Sequence, residues 1–173
     1  PKGIQQPARI AVVDFDRLVQ ETAQMKTAQT SFKKMQDDLN KEDEKRVAEI
    51  QTLVKKLAMH QRGSEAYQRT LDEAEQKKLE TDAWRKIQMR RLYDHQKDIL
   101  QAFYVDVQKA TADYARANGL TLVVKADNFE VGEESAQDFR LRVALKKVIY
   151  SANDIDITAD IIALLNARHK RGN

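Results

Sequence analysis

Val54-Lys-Lys-Leu-Ala-Met-His-Gln-Arg-Gly-Ser-Glu-Ala-Tyr-Gln-Arg69 decides the fold. Helix-forming residues run up to Arg62, and Gly63 and Ser64 then supply a stop and a start. Glycine takes the left-handed backbone that closes a helix, and serine caps the next one. Both prolines of the 173-residue chain lie before residue 8, and Gly63 is the sole glycine between Asp16 and Asn118. Ala, Gln, Lys, Glu and Leu dominate that span, so it reads as helix. One straight helix of this length would run roughly 150 Å. The Gly63 turn predicts a hairpin instead, with its tip near residues 60–65.

The apolar positions say what kind of hairpin it is. Met25, Ala28, Phe32, Met35 and Leu39 step by three and four, the seam of a coiled coil, and Val47, Ile50, Val54 and Leu57 resume the stepping. In the second half Tyr67, Leu71, Ala74, Trp84, Ile87, Leu92, Ile99, Phe103, Val107, Ala110, Tyr114 and Ala117 continue a helical stripe. Antiparallel helices folded about one point pair residues whose numbers total a constant. Leu57 with Tyr67, Ile50 with Ala74, Phe32 with Leu92 and Met25 with Ile99 all total 124, which puts the fold point near residue 62. Lys41-Glu-Asp-Glu-Lys-Arg46 interrupts the seam with six consecutive charges and reflects onto residues 78–83, where Lys78, Glu80 and Asp82 are also polar. A level so poor in apolar contact is expected to be a mid-arm hinge.

Working outward, Ala8-Arg-Ile-Ala-Val-Val13 reads as a strand, with Asp14 or Asp16 capping the helix that follows. At the other foot Gly119 ends the second helix and Leu120-Thr-Leu-Val-Val124 reads as a second strand. Phe139, Leu141, Val143 and Leu145 alternate with Arg140, Arg142, Ala144 and Lys146, a period of two that predicts a half-buried strand continuing through Val148-Ile-Tyr150. Thr158 is the expected N-cap of a last helix that buries Ile161, Ile162, Leu164 and Leu165. The fold class is α+β, mostly α: a helical arm over 16–108 on a small β-containing body formed by 8–15 and 109–168.

Composition narrows the function. Lys and Arg number 30 against 27 Asp and Glu, a net charge of +3 with pI near 9.0, too balanced for a dedicated nucleic-acid surface. No Cys is present, which excludes disulfides, thiolate nucleophiles and Cys-ligated zinc. With 33% charged residues, no apolar run reaches the roughly 18 residues that span a bilayer, and a soluble protein is expected.

Val12-Val13-Asp14-Phe15-Asp16 has the strand-then-DxD form of aspartate-nucleophile phosphatases, but a coiled-coil pattern follows instead of the further acidic and Lys ligands that chemistry needs. A helix cap is the better reading. His60, His95 and His169 show no metal-ligand spacing, and no glycine-rich phosphate loop occurs. No catalytic residue, cofactor or metal is expected. Around the turn, Lys55, Lys56, Arg62 and Arg69 face Glu65 alone, beside Met59 and Tyr67. Such a basic tip attracts acidic polypeptides or anionic head groups across a Debye length of about 8–10 Å, although any solvated helix pair needs Lys and Arg.

The order of segments resembles a known family. Ile10-Ala-Val-Val-Asp14, then a charged helical hairpin, then Tyr114-Ala-Arg-Ala-Asn-Gly-Leu-Thr-Leu-Val-Val124, Val148-Ile-Tyr-Ser151 and Asp156-Ile-Thr-Ala-Asp-Ile-Ile162, with Leu165-Asn166 near the end, is similar to the Skp (OmpH-like) periplasmic chaperones. The resemblance implies a homotrimer whose arms enclose a cavity and hold unfolded outer-membrane proteins without ATP. It implies the periplasm, with a signal peptide already removed. On this reading the tip residues Lys55, Lys56, Met59, Arg62, Tyr67 and Arg69 meet the client. Ile10, Val12, Val13, Leu120, Leu122, Val124, Val148 and Ile149 belong to the oligomerisation body, and exposed edges of so small a sheet give it reason to assemble. Anionic lipid or lipopolysaccharide is a further partner by resemblance, with no position to which its patch maps; nucleic acid is not. The chain departs from the family over Phe129 to Leu145, which reads as an inserted β-hairpin. A coiled-coil scaffolding rod with no client remains the alternative, and a prefoldin-like chaperone fits less well because its strands lie between its helices.

Overall fold

The computed structural model of the chain describes residues 7–126 and 135–172. Strand β1 (Ile10–Asp14) leads into α1 (Phe15–Glu21), α2 (Ala23–Met59), α3 (Glu65–Asn118), β2 (Leu122–Ala126), α4 (Ala136–Leu145), a 3₁₀ turn at Asn153–Ile155 and α5 (Thr158–Gly172). The chain divides into two compact units, Pro1–Ala28 with Gln101–Asn173, and Gln29–Leu100. The division falls inside α2 and α3, farther along the arm than the expected limits of 16 and 108, because Met25, Phe103 and Val107 are buried in the first unit's core.

In that first unit β1 and β2 run parallel, with Val12 opposite Val124. Their outward main-chain groups follow the parallel rule: the Arg9 carbonyl accepts from Thr121 N at 2.8 Å on the β2 side, whereas the Val12 carbonyl accepts from Ile157 N at 3.0 Å on the other. Asp156 thus bridges β1 on the flank away from β2. Helix α5 begins immediately after that bridge, so the next ladder donor, Asp14 N–H, has no main-chain acceptor. The Thr158 hydroxyl accepts it at 2.9 Å and donates in turn to Asp156 Oδ1, leaving no unpaired group at a fully buried position. Thr158 was expected to cap its own helix. Instead Asp156 takes the Thr158 N–H at 2.8 Å, and the threonine side chain serves the strand.

Two of the expected helix boundaries hold for the stated reasons. Asp14 Oδ1 accepts from Arg17 N at 3.0 Å, and Ser64 Oγ accepts from Tyr67 N at 3.1 Å. Gly63 and Gly119 have φ of +84° and +64°, the left-handed closures that only glycine adopts without strain. The helix expected to run unbroken from 16 is interrupted at Thr22, whose extended backbone frees Ala23 N–H to donate to Asn166 Oδ1 of α5 at 2.8 Å. The second strand lies two residues later than expected, 122–126 instead of 120–124, since Leu120 N still closes α3 on the Ala115 carbonyl.

One element is of the other type. Residues 139–145 are not a strand but part of α4, with Ser135 Oγ accepting from Asp138 N at 3.1 Å and Asp138 accepting from the Ser135 hydroxyl at 2.6 Å, a local capping pair that starts a helix. The expected inserted β-hairpin therefore does not form over its second half; residues 129–134 lie outside the described residues.

The second unit is the helical hairpin, joined by the loop 60–64 centred on residue 62. Its seam differs in phase from the reading. Leu53 is buried at 6% exposure, and Val54 is 54% exposed. The six-charge level is unbroken helix and is bridged rather than empty: Asp43 holds Arg85 through contacts of 2.5 and 3.0 Å, Glu49 holds Lys77 at 2.8 Å, and the Arg46 guanidinium lies 4.7 Å from the Trp84 ring centre.

Candidate functional site

The tip of the hairpin gathers the predicted residues by simple chain geometry. Lys55, Lys56 and Met59 end α2, Arg62 sits in the turn, and Tyr67 and Arg69 begin α3. Met59 is 82% exposed, and Lys55, Lys56 and Arg62 are also exposed, with no ion pair among the described residues. Arg69 is bound to Glu65 one turn back, which cancels one of the four positive charges. Tyr67 is half-buried and lies on the seam side, apart from the exposed group. The tip thus presents a flexible thioether among three free cations, a surface for weak contact with apolar or acidic chain.

Sequence reasoning missed most of the unit's remaining apolar surface. Leu79, Ile87, Met89 and Tyr93 of α3 are exposed, whereas Leu53, Ala74 and Thr81 are its only buried residues among those described. Ile87 had been read as seam. A groove of about 450 Å³ has Met35, Leu39 and Trp84 as its apolar lining and Lys34, Asp38 and Glu42 on its rim. The signal for Trp84 was present in Arg46 of the facing helix, whose guanidinium stacks on it.

Charge in this unit is arranged in pairs. The hydrogen bond from Arg85 holds the Asp43 carboxyl below the usual carboxylate range, and the bond from Lys77 does the same for Glu49. Lys77 and Arg85 are raised by the same bonds. These are solvated pairs, worth little singly.

The residues assigned to the oligomerisation body separate into two sets. Val12 and Val13 are buried in the chain's own core, covered by its own elements, and so are not free to meet another chain. Leu120, Val124 and Val148 are half-buried, and Ile10, Leu122 and Ile149 are exposed. Phe15 packs against Phe103 and Tyr104 with ring centres 5.9 and 6.0 Å apart. Phe15, Tyr104, Val107 and Val123 line an apolar groove of about 450 Å³, over which the Lys125 ammonium lies 5.7 Å from the Phe15 ring.

Asp14, the first carboxylate of the DxD run, is buried and engaged as the α1 cap, with its main-chain N–H on Thr158; it is a structural group. Among the described residues no cluster of His, Cys, Asp and Glu has the form of a metal site, and no helix is long and apolar enough to cross a membrane.

With this geometry in place the chain can be set beside known proteins. The profile of the outer membrane protein (OmpH-like) family matches residues 9–165. The chain belongs to the OmpH-like family. The match takes in both strands, both hairpin helices and most of α5. The crystal structure of a protein from Caulobacter crescentus, provisionally described as an OmpH-like outer membrane chaperone, superposes with a TM-score of 0.76 at 14% identity, over 94% of this chain and 86% of that one. At that identity the likeness is one of fold: a long helical arm with a small two-stranded sheet. Among curated proteins none matches the sequence.

Proposed function

We propose that this member of the OmpH-like family is a nucleotide-independent holding chaperone. It assembles as a homotrimer, works in the periplasm and keeps unfolded outer-membrane proteins from aggregating between its arms. The observation that carries the reading is the distribution of apolar surface in the hairpin. Met59, Leu79, Met89 and Tyr93 lie open on two helices whose own seam buries few side chains. Monomeric soluble proteins rarely leave so much apolar surface uncovered without a partner for it. The exposure suits reversible contact with unfolded chain, and the free cations at the tip add long-range capture at modest affinity.

The test dilutes a urea-denatured β-barrel membrane protein into buffer with stoichiometric amounts of this protein and no nucleotide. The client is expected to stay in solution; unchanged precipitation refutes the holding role. Light scattering is expected to give about three times the 19.9 kDa chain mass. A dimer would favour the scaffolding rod instead. Replacing Lys55, Lys56 and Arg62 with Glu should slow capture, and high salt should reproduce the effect.

A further inference from the structure

The seam of the hairpin unit is filled unevenly. Along α3 its covered positions include Trp84, Gln88 and Leu92, so an amide stands where the residues on either side put apolar groups. Among the described residues that amide has no hydrogen-bonding partner. Met35 of α2 borders the same space and, although it holds a seam position, is 36% exposed. The Trp84 ring does not close the gap, because it leans on the Arg46 guanidinium at 4.7 Å, which Glu42 holds at 3.0 Å. Arg46 is not part of the groove lining, so the indole keeps another side for it. The groove of about 450 Å³ is what this mismatch leaves between the helices.

We propose that this groove is a subsite for client chain: it takes one aromatic side chain of an extended, unfolded segment that carries Lys or Arg two residues away. The inference rests on the holding role above and names the class of segment held.

Shape and charge select that occupant. Met35, Leu39 and Trp84 give a thioether, an aliphatic and an aromatic wall, the surfaces that suit a ring. The volume is in the range of small-ligand pockets, about 300–1,000 Å³, and too small for a helix. The Gln88 amide can bond the main chain of whatever enters. On the rim, Asp38 has no ion pair among the described residues, and Glu42 follows it one turn on. Lys34 is the single rim cation and lies about 6 Å from Asp38 along α2. Side chains on one face of an extended chain repeat every 6.6 Å or so, which carries the residue two beyond the buried ring to the rim. A cation there meets Asp38 with Glu42 beyond it, whereas an anion at the opposite end meets Lys34 alone with Asp38 close by. Barrel strands carry aromatic girdles at the ends of their apolar band, where the next residue on that face turns polar, so an unfolded barrel protein offers such segments.

Acrylamide quenching of Trp84, the sole tryptophan, reads occupancy in the full chain. The probe is acetyl-Ser-Gly-Ser-Phe-Ser-Lys-Ser-Gly-amide, set against one peptide with Glu in place of Lys and another with Ser in place of Phe. At millimolar concentration the probe should shield Trp84 and bind about threefold tighter than the Glu form, the size of one exposed ion pair. The Ser form should leave quenching unchanged. Asp38→Lys should abolish or reverse the preference for Lys over Glu. Gln88→Leu fills the open seam position with an apolar side chain, so the hairpin should melt higher while the probe loses its effect. A probe that never shields Trp84, or that binds Gln88→Leu as it binds wild type, overturns the subsite. The client-dilution assay run beside it separates the two readings. A client kept in solution with no effect of the probe removes the subsite and leaves the holding role standing; a client that precipitates removes the holding role and the assignment to clients with it.

Discussion

Truncating Phe103 to alanine should reveal how much of this protein's stability rests in the unit that holds the sheet. Phe103 is 0% exposed, and its ring centre lies 5.9 Å from that of Phe15, tilted by 57°. Deleting a fully buried phenylalanine ring costs about 3–5 kcal/mol, of which an aromatic pair contributes about 0.5–1.5. Alanine recovers a few tenths of a kcal/mol through better helix propensity, which does not change the order of magnitude. With a urea dependence of about 2 kcal/mol/M, the unfolding midpoint should fall by roughly 1.5–2.5 M. The neighbour makes the control. Tyr104 occupies the next position on α3, is half exposed and touches Phe15 edge-on with ring centres 6.0 Å apart, so Tyr104→Ala should cost about 1 kcal/mol or less. Both variants are followed by far-UV circular dichroism at one fixed protein concentration, because self-association would otherwise shift the midpoint. A Phe103→Ala midpoint within about 0.5 M of the Tyr104→Ala midpoint would refute the argument that this ring anchors the core.

Three further outcomes follow from single contacts. Thr158→Val removes the hydroxyl that accepts Asp14 N–H at 2.9 Å, so a buried donor is left unpaired at a cost of about 1–3 kcal/mol, whereas Thr158→Ser should stay near wild type in the same urea titration. Leu53→Ala should destabilise the hairpin by about 2–4 kcal/mol and Val54→Ala by less than about 0.5, read from the fluorescence of Trp84, the sole tryptophan; equal effects would restore the phase that the apolar pattern suggested. Asp43 and Glu49 are held below the usual carboxylate range by their bonds to Arg85 and Lys77, so their contribution is complete above the unfolded values of about 3.9 and 4.3 and is lost as the pH falls through the lower folded values. The Trp84 signal should therefore be flat from pH 7 to 5 and fall in acid, with a shallower acid limb in Asp43→Asn.

The parts of the fold that were legible in the sequence are those fixed within one turn of chain. Asp14, Gly63, Ser64 and Gly119 act on residues three or four away, so their roles can be read without knowing what packs where. The seam was harder because charged residues occupy it. Glu42 and Arg46 are half-buried and carry the stripe from Leu39 toward Ile50, Leu53 and Leu57. Counting apolar residues alone reads that stretch as a gap and leaves it one residue out of phase, which is how Val54 came to stand in place of Leu53. At 139–145 two local signals conflict, an alternating apolar pattern and a Ser135–Asp138 capping pair, and within the lone chain the cap decides. Of the proposed contact surfaces, the basic tip was visible as composition. The open Leu79, Met89 and Tyr93 were not, because whether a helical apolar residue is covered depends on its partner helix.

The two units hold their folds by different means, and this bears on the proposed holding role. The unit containing the sheet buries Leu18, Phe103, Ile161 and Leu165 together with the Asp14–Thr158–Asp156 network, so its stability comes from shape and from paired buried groups. The hairpin unit buries Leu53, Ala74 and Thr81 and is tied across by Arg85 with Asp43, Lys77 with Glu49 and Arg46 with Trp84. Solvated ion pairs and a half-exposed cation–π contact cost little to break and re-form, and they weaken with salt and acid where a packed core does not. Local opening free energies should therefore be lower in the hairpin than around the sheet. For a chaperone this division is useful: a surface that must adapt to many unfolded chains is cheap to deform, while the packed core around the sheet stays fixed. Amide exchange makes the comparison directly, with faster opening at 41–46 than at 103–110 as the expected result. Equal protection would mean that the polar ties are as strong as the core, and that adaptation to clients must come from somewhere other than the arm.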